Sequence, residues 1–530
     1  MKNRVLRLIA LILCVVLLCG CGLQSSLDSS GFVPYESMEY TRPDLSEIRA
    51  ALDAAICTGE TEENGAEAVA EAVYVFYDAY DWFFTNYYLA DIRYCGDLTD
   101  IYWEKEYNYC ADNSPAVEAM LEELYYALAK SPLREELEAE EYFGEGFFDS
   151  YEGENQWDEA FTALMEEESA LEARYYALSA QMPETQSEES ARYDNTVTED
   201  MVGNLVELIG LRQEIAAYWG YEDYVQFAGD FYHYRDYTPA EMAAYLAAVQ
   251  TELVELYRKI GEADFAGVST YCTELESFRF VRNAAKNMGG TIWEAFRLME
   301  SGKLYDITYG ENKYPISFEV YLPGYWEPFV FMNPSLTRYD CLTLAHEFGH
   351  FANDYACYGT YAGVDVTEFY SQGMEYLSLC YGENTGELTR AKLADSLCVY
   401  VEQSAFAAFE QQMYALTGDD LSAEGLCRVY GEIARAYGFE SFDVREFVDI
   451  PHFYTNPLYV FSYVVSNDAA MQLYQMEQAQ AGSGLALMEE NLDAQVYYFG
   501  EFLDYAGLEN PFAPGRIQKV RETFEAEFGQ

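Results

Sequence analysis

Thr343-Leu344-Ala345-His346-Glu347-Phe348-Gly349-His350-Phe351-Ala352 is the stretch on which the reading of this chain turns. The chain has four histidines, His233, His346, His350 and His452, and two of them fall here with a glutamate between. At these residue frequencies a His-Glu-x-x-His arises by chance in about 0.3% of such chains. The residues on either side are apolar, which predicts a buried helix. Positions four apart share a helix face, so His346 and His350 can offer their imidazoles to one zinc ion, with Glu347 beside a metal-bound water. Two histidines satisfied by local hydrogen bonds in a core would leave Glu347 buried and uncompensated, which is costly.

A catalytic zinc needs a third protein ligand and an open position. Four acids follow the motif: Asp354, Asp365, Glu368 and Glu375. Glu368 lies in Thr367-Glu368-Phe369-Tyr370-Ser371-Gln372-Gly373-Met374-Glu375-Tyr376, which reads as a second helix. Glu368 and Glu375, seven apart, share a face. Glu368 is the expected third ligand of one zinc ion per chain, and Glu375 the group that orients an imidazole from behind.

Working outward, Ser317-Phe318-Glu319-Val320-Tyr321-Leu322 alternates and is rich in β-formers. Pro323-Gly324 marks a turn, and Pro328 to Asn333 is a second strand. A small antiparallel sheet is therefore expected beside the motif helix, with an edge at Val320 or Phe329 to which an extended peptide could pair. From about Leu45 to Ile260 apolar residues recur at helical spacing. Ser114-Pro115 and Ser131-Pro132 read as helix starts, and Thr238-Pro239-Ala240-Glu241 as a capping box. Pro183 to Asp200 is polar and reads as a linker or surface loop. The fold class expected is mainly α.

The first 20 residues carry Lys2, Arg4 and Arg7 and no acid, followed by an apolar run from Leu8 to Leu18. That run is short for a bilayer span and suits a secretory signal. Leu18-Cys19-Gly20-Cys21 resembles a bacterial lipobox, which implies a thioether lipid on Cys21 and a protein held on the outer face of the cell membrane. Residues 21–40 read as a flexible tether. Nine cysteines remain beyond Cys21, with no CxxC among them. They are read mostly as small buried apolar residues. With 30 Lys and Arg against 92 Asp and Glu, the net charge is −62. That excludes a nucleic-acid partner and argues against the folded body docking on an anionic membrane. Half the residues are hydrophobic and 17% aromatic, so the chain folds rather than staying disordered.

Several separated pieces together resemble the thimet oligopeptidase and oligoendopeptidase F family of zinc metallopeptidases. They are Gly220-Tyr221-Glu222-Asp223-Tyr224, Arg235-Asp236-Tyr237-Thr238-Pro239, the Pro328–Asn333 strand leading into the motif, Glu368 with Ser371-Gln372 and Glu375, and Ile450-Pro451-His452-Phe453-Tyr454 with Pro457-Leu458-Tyr459-Val460-Phe461-Ser462-Tyr463. The resemblance implies a prolate, two-lobed helical zincin with a deep channel. The N-terminal helical lobe would span 41–200 and the catalytic region 201–530. The implied activity is zinc-dependent endopeptidase action on short peptides. It also implies that His452 and the tyrosines after it face the zinc. Peptide hydrolysis passes through an oxyanion, which fixed donors stabilise. His452, Tyr459 and Tyr463 can each donate, and which tyrosine does so is open at this stage. Two readings stand beside this one: another helical zincin acting as an exopeptidase, and a non-catalytic peptide-binding lipoprotein. The chain departs from the family in a shorter separation between the motif and Glu368. It also carries Tyr309-Gly310-Glu311-Asn312-Lys313-Tyr314-Pro315 where a glycine-rich segment is typical. His233 has no motif around it and reads as structural.

Overall fold

A computed structural model of the chain describes residues 32–139, 142–153, 159–182, 192–260, 265, 267–359 and 362–528. The expected signal segment, Cys21 and the first part of the tether lie outside the described residues. The chain forms two units, each discontinuous in sequence. The first comprises the described parts of Met1–Trp157 and Tyr271–Tyr361, the second those of Asp158–Thr270 and Ala362–Gln530.

The first unit begins with the helices Leu45–Gly59, Gly65–Gly96 and Ile101–Leu128, the first and third N-capped by Asp44 and Asp100. Their apolar stripes bury Leu52, Val69, Val73, Phe76, Phe83, Val117 and Leu124, and Phe143, Phe147, Phe148 and Tyr151 complete that core. Pro115 does not start a helix as its sequence suggests: it lies inside Ile101–Leu128. A proline there deprives the carbonyl four residues back of its donor. The Ser114 hydroxyl donates to that same carbonyl, Ala111 O, at 3.2 Å, which lets the helix run on. The tether expected over 21–40 is fastened to this unit from Val33 onward. Val33 N donates to Glu327 at 2.7 Å, Tyr35 packs on Phe329, and Met38 is buried.

The sheet has three strands: β1 Tyr305–Asp306, β2 Ser317–Leu322 and β3 Glu327–Met332, in the order β1-β3-β2. β2 and β3 are antiparallel, as the sequence suggests, and their register sets Phe318 opposite Phe331 and Val320 opposite Phe329. β1 pairs parallel to β3, so the sheet is mixed rather than antiparallel. A two-residue strand is too short for alternation to reveal it. Its presence makes β3 central, so Phe329 is not at an edge and Val320, on β2, is.

In the second unit the helix Thr196–Tyr218 starts inside the stretch read as a loop, because Asn195 caps it by accepting from Thr198 N at 3.0 Å. The capping box at Thr238 forms, with both Thr238 and Glu241 engaged. The helices Val364–Tyr381 and Val460–Ala479 lie side by side and are buried along most of their length. Gln372 joins them through the Ser466 hydroxyl at 3.1 Å and Tyr463 O at 3.3 Å. Among the described residues no helix is long and apolar enough to cross a membrane. The nine described cysteines are all thiols, and most are buried or partly so.

Candidate active site

The motif sits on the helix Asp340–Cys357 of the first unit. Asp340 fixes its start by accepting from Ser335 N at 2.9 Å and Thr337 N at 3.2 Å, which folds the preceding loop onto the first turn. Leu342, Leu344, Ala345, Phe348, Phe351 and Ala352 are buried, and Phe348 packs edge-on against Phe296. His346 and His350 are half-buried neighbours on one face, their ring centroids 5.1 Å apart. Glu347 is 5% exposed.

Two further acids belong to this neighbourhood. Glu319 points from β2 toward Asp354, one turn beyond His350. Burial first, then the carboxylates of Asp354 and Glu347, raises the Glu319 carboxyl well above its ordinary range. Burial raises Asp354 as well. Burial and the nearness of the two carboxyls thus both disfavour the ionised form of Glu319. Asp354 is among the four acids singled out from sequence. Glu319 reads from sequence simply as a strand residue; an acid among Phe318, Val320, Tyr321 and Leu322 is the available signal.

The other acids lie in the second unit. Asp365 accepts from Tyr237 OH at 2.7 Å and faces Arg235 at 3.6 Å. Glu375 pairs with buried Lys392 at 2.9 Å. Glu368 is buried and accepts from the Tyr459 hydroxyl at 2.8 Å and the Ser371 hydroxyl at 3.1 Å. Those two donors turn a carboxylate in a fixed direction, as the supporting groups of metal ligands do. His452, Tyr459 and Tyr463 make an aromatic triangle beside it. The His452 ring lies over Tyr459 at 5.6 Å, and Tyr463 meets both edge-on at 5.9 and 5.1 Å. Burial lowers the His452 pKa, with Glu368 pulling the other way. Burial, then Glu368, raises the Tyr459 hydroxyl well above its usual value, so it remains a donor. His233 is buried behind this triangle, its Nε2 against Pro457 O at 2.7 Å and its ring edge-on to Tyr459 at 6.4 Å.

Residues 35–157 match the family model described as Peptidase M3 N-terminal domain. A putative oligoendopeptidase F structure aligns with 93% of this chain and 98% of its own, with a TM-score of 0.75 at 22% identity. Pz peptidase A solved with an inhibitor aligns over the same shares, at 0.77 and 19%. A putative oligoendopeptidase F from Bacillus anthracis str. Ames aligns over 94% and 98%, at 0.73 and 20%. The chain has the M3 peptidase fold. No curated protein matches it by sequence. Within the M3 fold, the matched N-terminal segment ends where the first unit first breaks off, at Trp157. Two imidazoles on one helix face and a buried, oriented carboxylate are the donor types a catalytic zinc takes, with one position left for water or substrate.

Arg212 has no motif around it in the sequence. It lies on the helix Thr196–Tyr218 in register with Leu205, Leu208, Ile209 and Ile215, all buried. A lone arginine on an apolar stripe was its signal.

Proposed function

We propose that this protein is a zinc-dependent endopeptidase that hydrolyses short peptides, exported and held on the outer face of the bacterial cell membrane by a lipid on Cys21. The observation that carries the reading is the His346 and His350 pair on one face of a buried helix, with Glu347 next to it, within an M3 peptidase fold. His346, His350 and Glu368 would be the ligands of that zinc. Zinc bound there would polarise the scissile carbonyl and lower the pKa of water.

Glu347 takes a proton from the attacking water and passes one to the leaving amine. Tyr459 orients Glu368 through its hydroxyl, while His452 and Tyr463 donate hydrogen bonds to the oxyanion. The free edge of β2 at Val320 offers backbone groups to an extended substrate. Distant likeness to two putative oligoendopeptidase F structures supports the substrate class, and Leu18-Cys19-Gly20-Cys21 supports the anchor.

Internally quenched peptides blocked at both ends test the reading. Cleavage is expected, lost with a chelator and restored by zinc, with about one zinc per chain by elemental analysis. Blocked peptides left intact while free-ended ones are trimmed would make the protein an exopeptidase. A zinc-free protein that binds peptides without cutting them would make it a binding protein.

A further inference from the structure

Between His452 and Tyr459 the backbone is gripped by four side chains from distant parts of the second unit. Arg212, fully buried, donates through Nη1 to Phe453 O at 2.9 Å and through Nη2 to Tyr454 O. Its own guanidinium is set by Glu168 at 2.6 Å, Glu172 at 3.2 Å and the Tyr414 hydroxyl at 3.2 Å. His233 Nε2 meets Pro457 O at 2.7 Å, and a carbonyl only accepts, so the ring carries its proton on Nε2. Arg235 Nη2 donates to Leu458 O and to the Ser462 hydroxyl, each at 2.9 Å. Leu458 N donates to Glu410 at 2.6 Å.

Leu458 has φ +66°, the left-handed region that a branched side chain rarely enters. It stays there with its N–H taken by the buried Glu410 carboxyl and its C=O by the buried Arg235 guanidinium. Burying two guanidiniums, an imidazole and a carboxyl carries a desolvation cost. An ordinary turn would satisfy its carbonyls with water instead. What this backbone carries at its two ends is His452 and Tyr459, the latter in contact with Glu368.

We propose that Arg212, His233, Arg235 and Glu410 are positioning residues, a bracket that fixes the 453–458 backbone and thereby sets His452 and Tyr459 at the separation their work requires. The catalytic consequence rests on the peptidase reading; the bracket itself does not. A misplacement of about 1 Å in such groups costs roughly 100-fold in rate.

Wild type, His233→Leu, His233→Gln and Arg212→Lys decide it. Each is measured for amide hydrogen exchange across 453–463, zinc content, and kcat and KM on a blocked peptide. In His233→Leu, faster exchange should be confined to the segment around Pro457, with zinc retained. Its kcat should fall about 10- to 100-fold while KM stays within about twofold. His233→Gln, whose amide replaces the Nε2–H donor, should return both to within about threefold of wild type. Arg212→Lys cannot serve two carbonyls at once as a fork does, and should loosen the 453–456 end with the same split of kcat from KM. Should His233→Leu fail to fold, Arg212→Lys and His233→Gln still carry the test. Wild-type exchange and kcat in both His233→Leu and Arg212→Lys would overturn the bracket, as would a loss in His233→Gln equal to that in His233→Leu. If the wild type cuts no peptide, the peptidase reading falls while the exchange pattern still decides the bracket.

Discussion

Replacing Glu347 by glutamine should leave zinc in place and remove nearly all turnover, a loss of about 1,000-fold or more, because the base goes and the proposed ligands remain. His346→Ala should lose both metal and activity. Elemental analysis beside a peptide assay separates the two, and wild-type turnover in Glu347→Gln would refute the assignment. At this scale the candidate site was largely legible: His346, Glu347 and His350 stand in one short string, and their chemistry follows from spacing. Glu319 and Arg212 were not, because their roles come from partners far off in sequence. Arg212 meets Tyr454, 242 positions away, and no local pattern encodes that meeting.

At the scale of elements, Glu410 on the helix Ser404–Met413 gives a pH signature. Burial pushes its carboxyl up to about 8, against the opposing pull of the Leu458 amide, Arg235 and Arg212. The folded chain therefore keeps a proton there that the unfolded chain releases above about pH 4.5. The contribution to stability is full below that pH and is lost as pH rises through about 8. Glu410→Gln keeps an oxygen for Leu458 N and removes the titration. The urea midpoint of the wild type should fall between pH 6 and pH 9 by more than that of the variant, and equal shifts would show that Glu410 is ionised throughout. Long helices with capping residues, such as the one opened by Thr238, were readable because period and cap agree. β1 was hidden by its length, and Pro115 misread because the Ser114 hydroxyl offsets what the proline removes.

For the whole molecule, charge and anchorage make the predictions. A body of net charge −62 should favour cationic peptides weakly, so kcat/KM for a lysine-rich peptide relative to a glutamate-rich one should fall toward unity between low salt and about 0.5 M. A ratio indifferent to salt would assign the preference to local contacts. Cys21→Ser should free the protein from the membrane fraction or leave it unprocessed, and unchanged lipid labelling would point to another attachment. The mainly helical class was plain from composition and periodicity. The interleaving of the two units was not, since nothing in a linear pattern marks which distant segments share a core.

That interleaving bears on the order in which the chain can fold. A chain delivered N-terminus first can gather the helices around Val69, Phe76 and Leu124 early, since their core is local. The sheet and the motif helix join that unit after Asp158–Thr270 has passed, and Asp158–Thr270 in turn waits for everything from Ala362 onward. Arg212 and Arg235 emerge long before Phe453, Tyr454 and Leu458, the carbonyls that receive them. Until those arrive the guanidiniums favour water over the interior, and the second unit has reason to stay open. If the proposed function holds, cutting power would come with the last stretch of chain, and a half-delivered copy would be inert beside other unfolded chains.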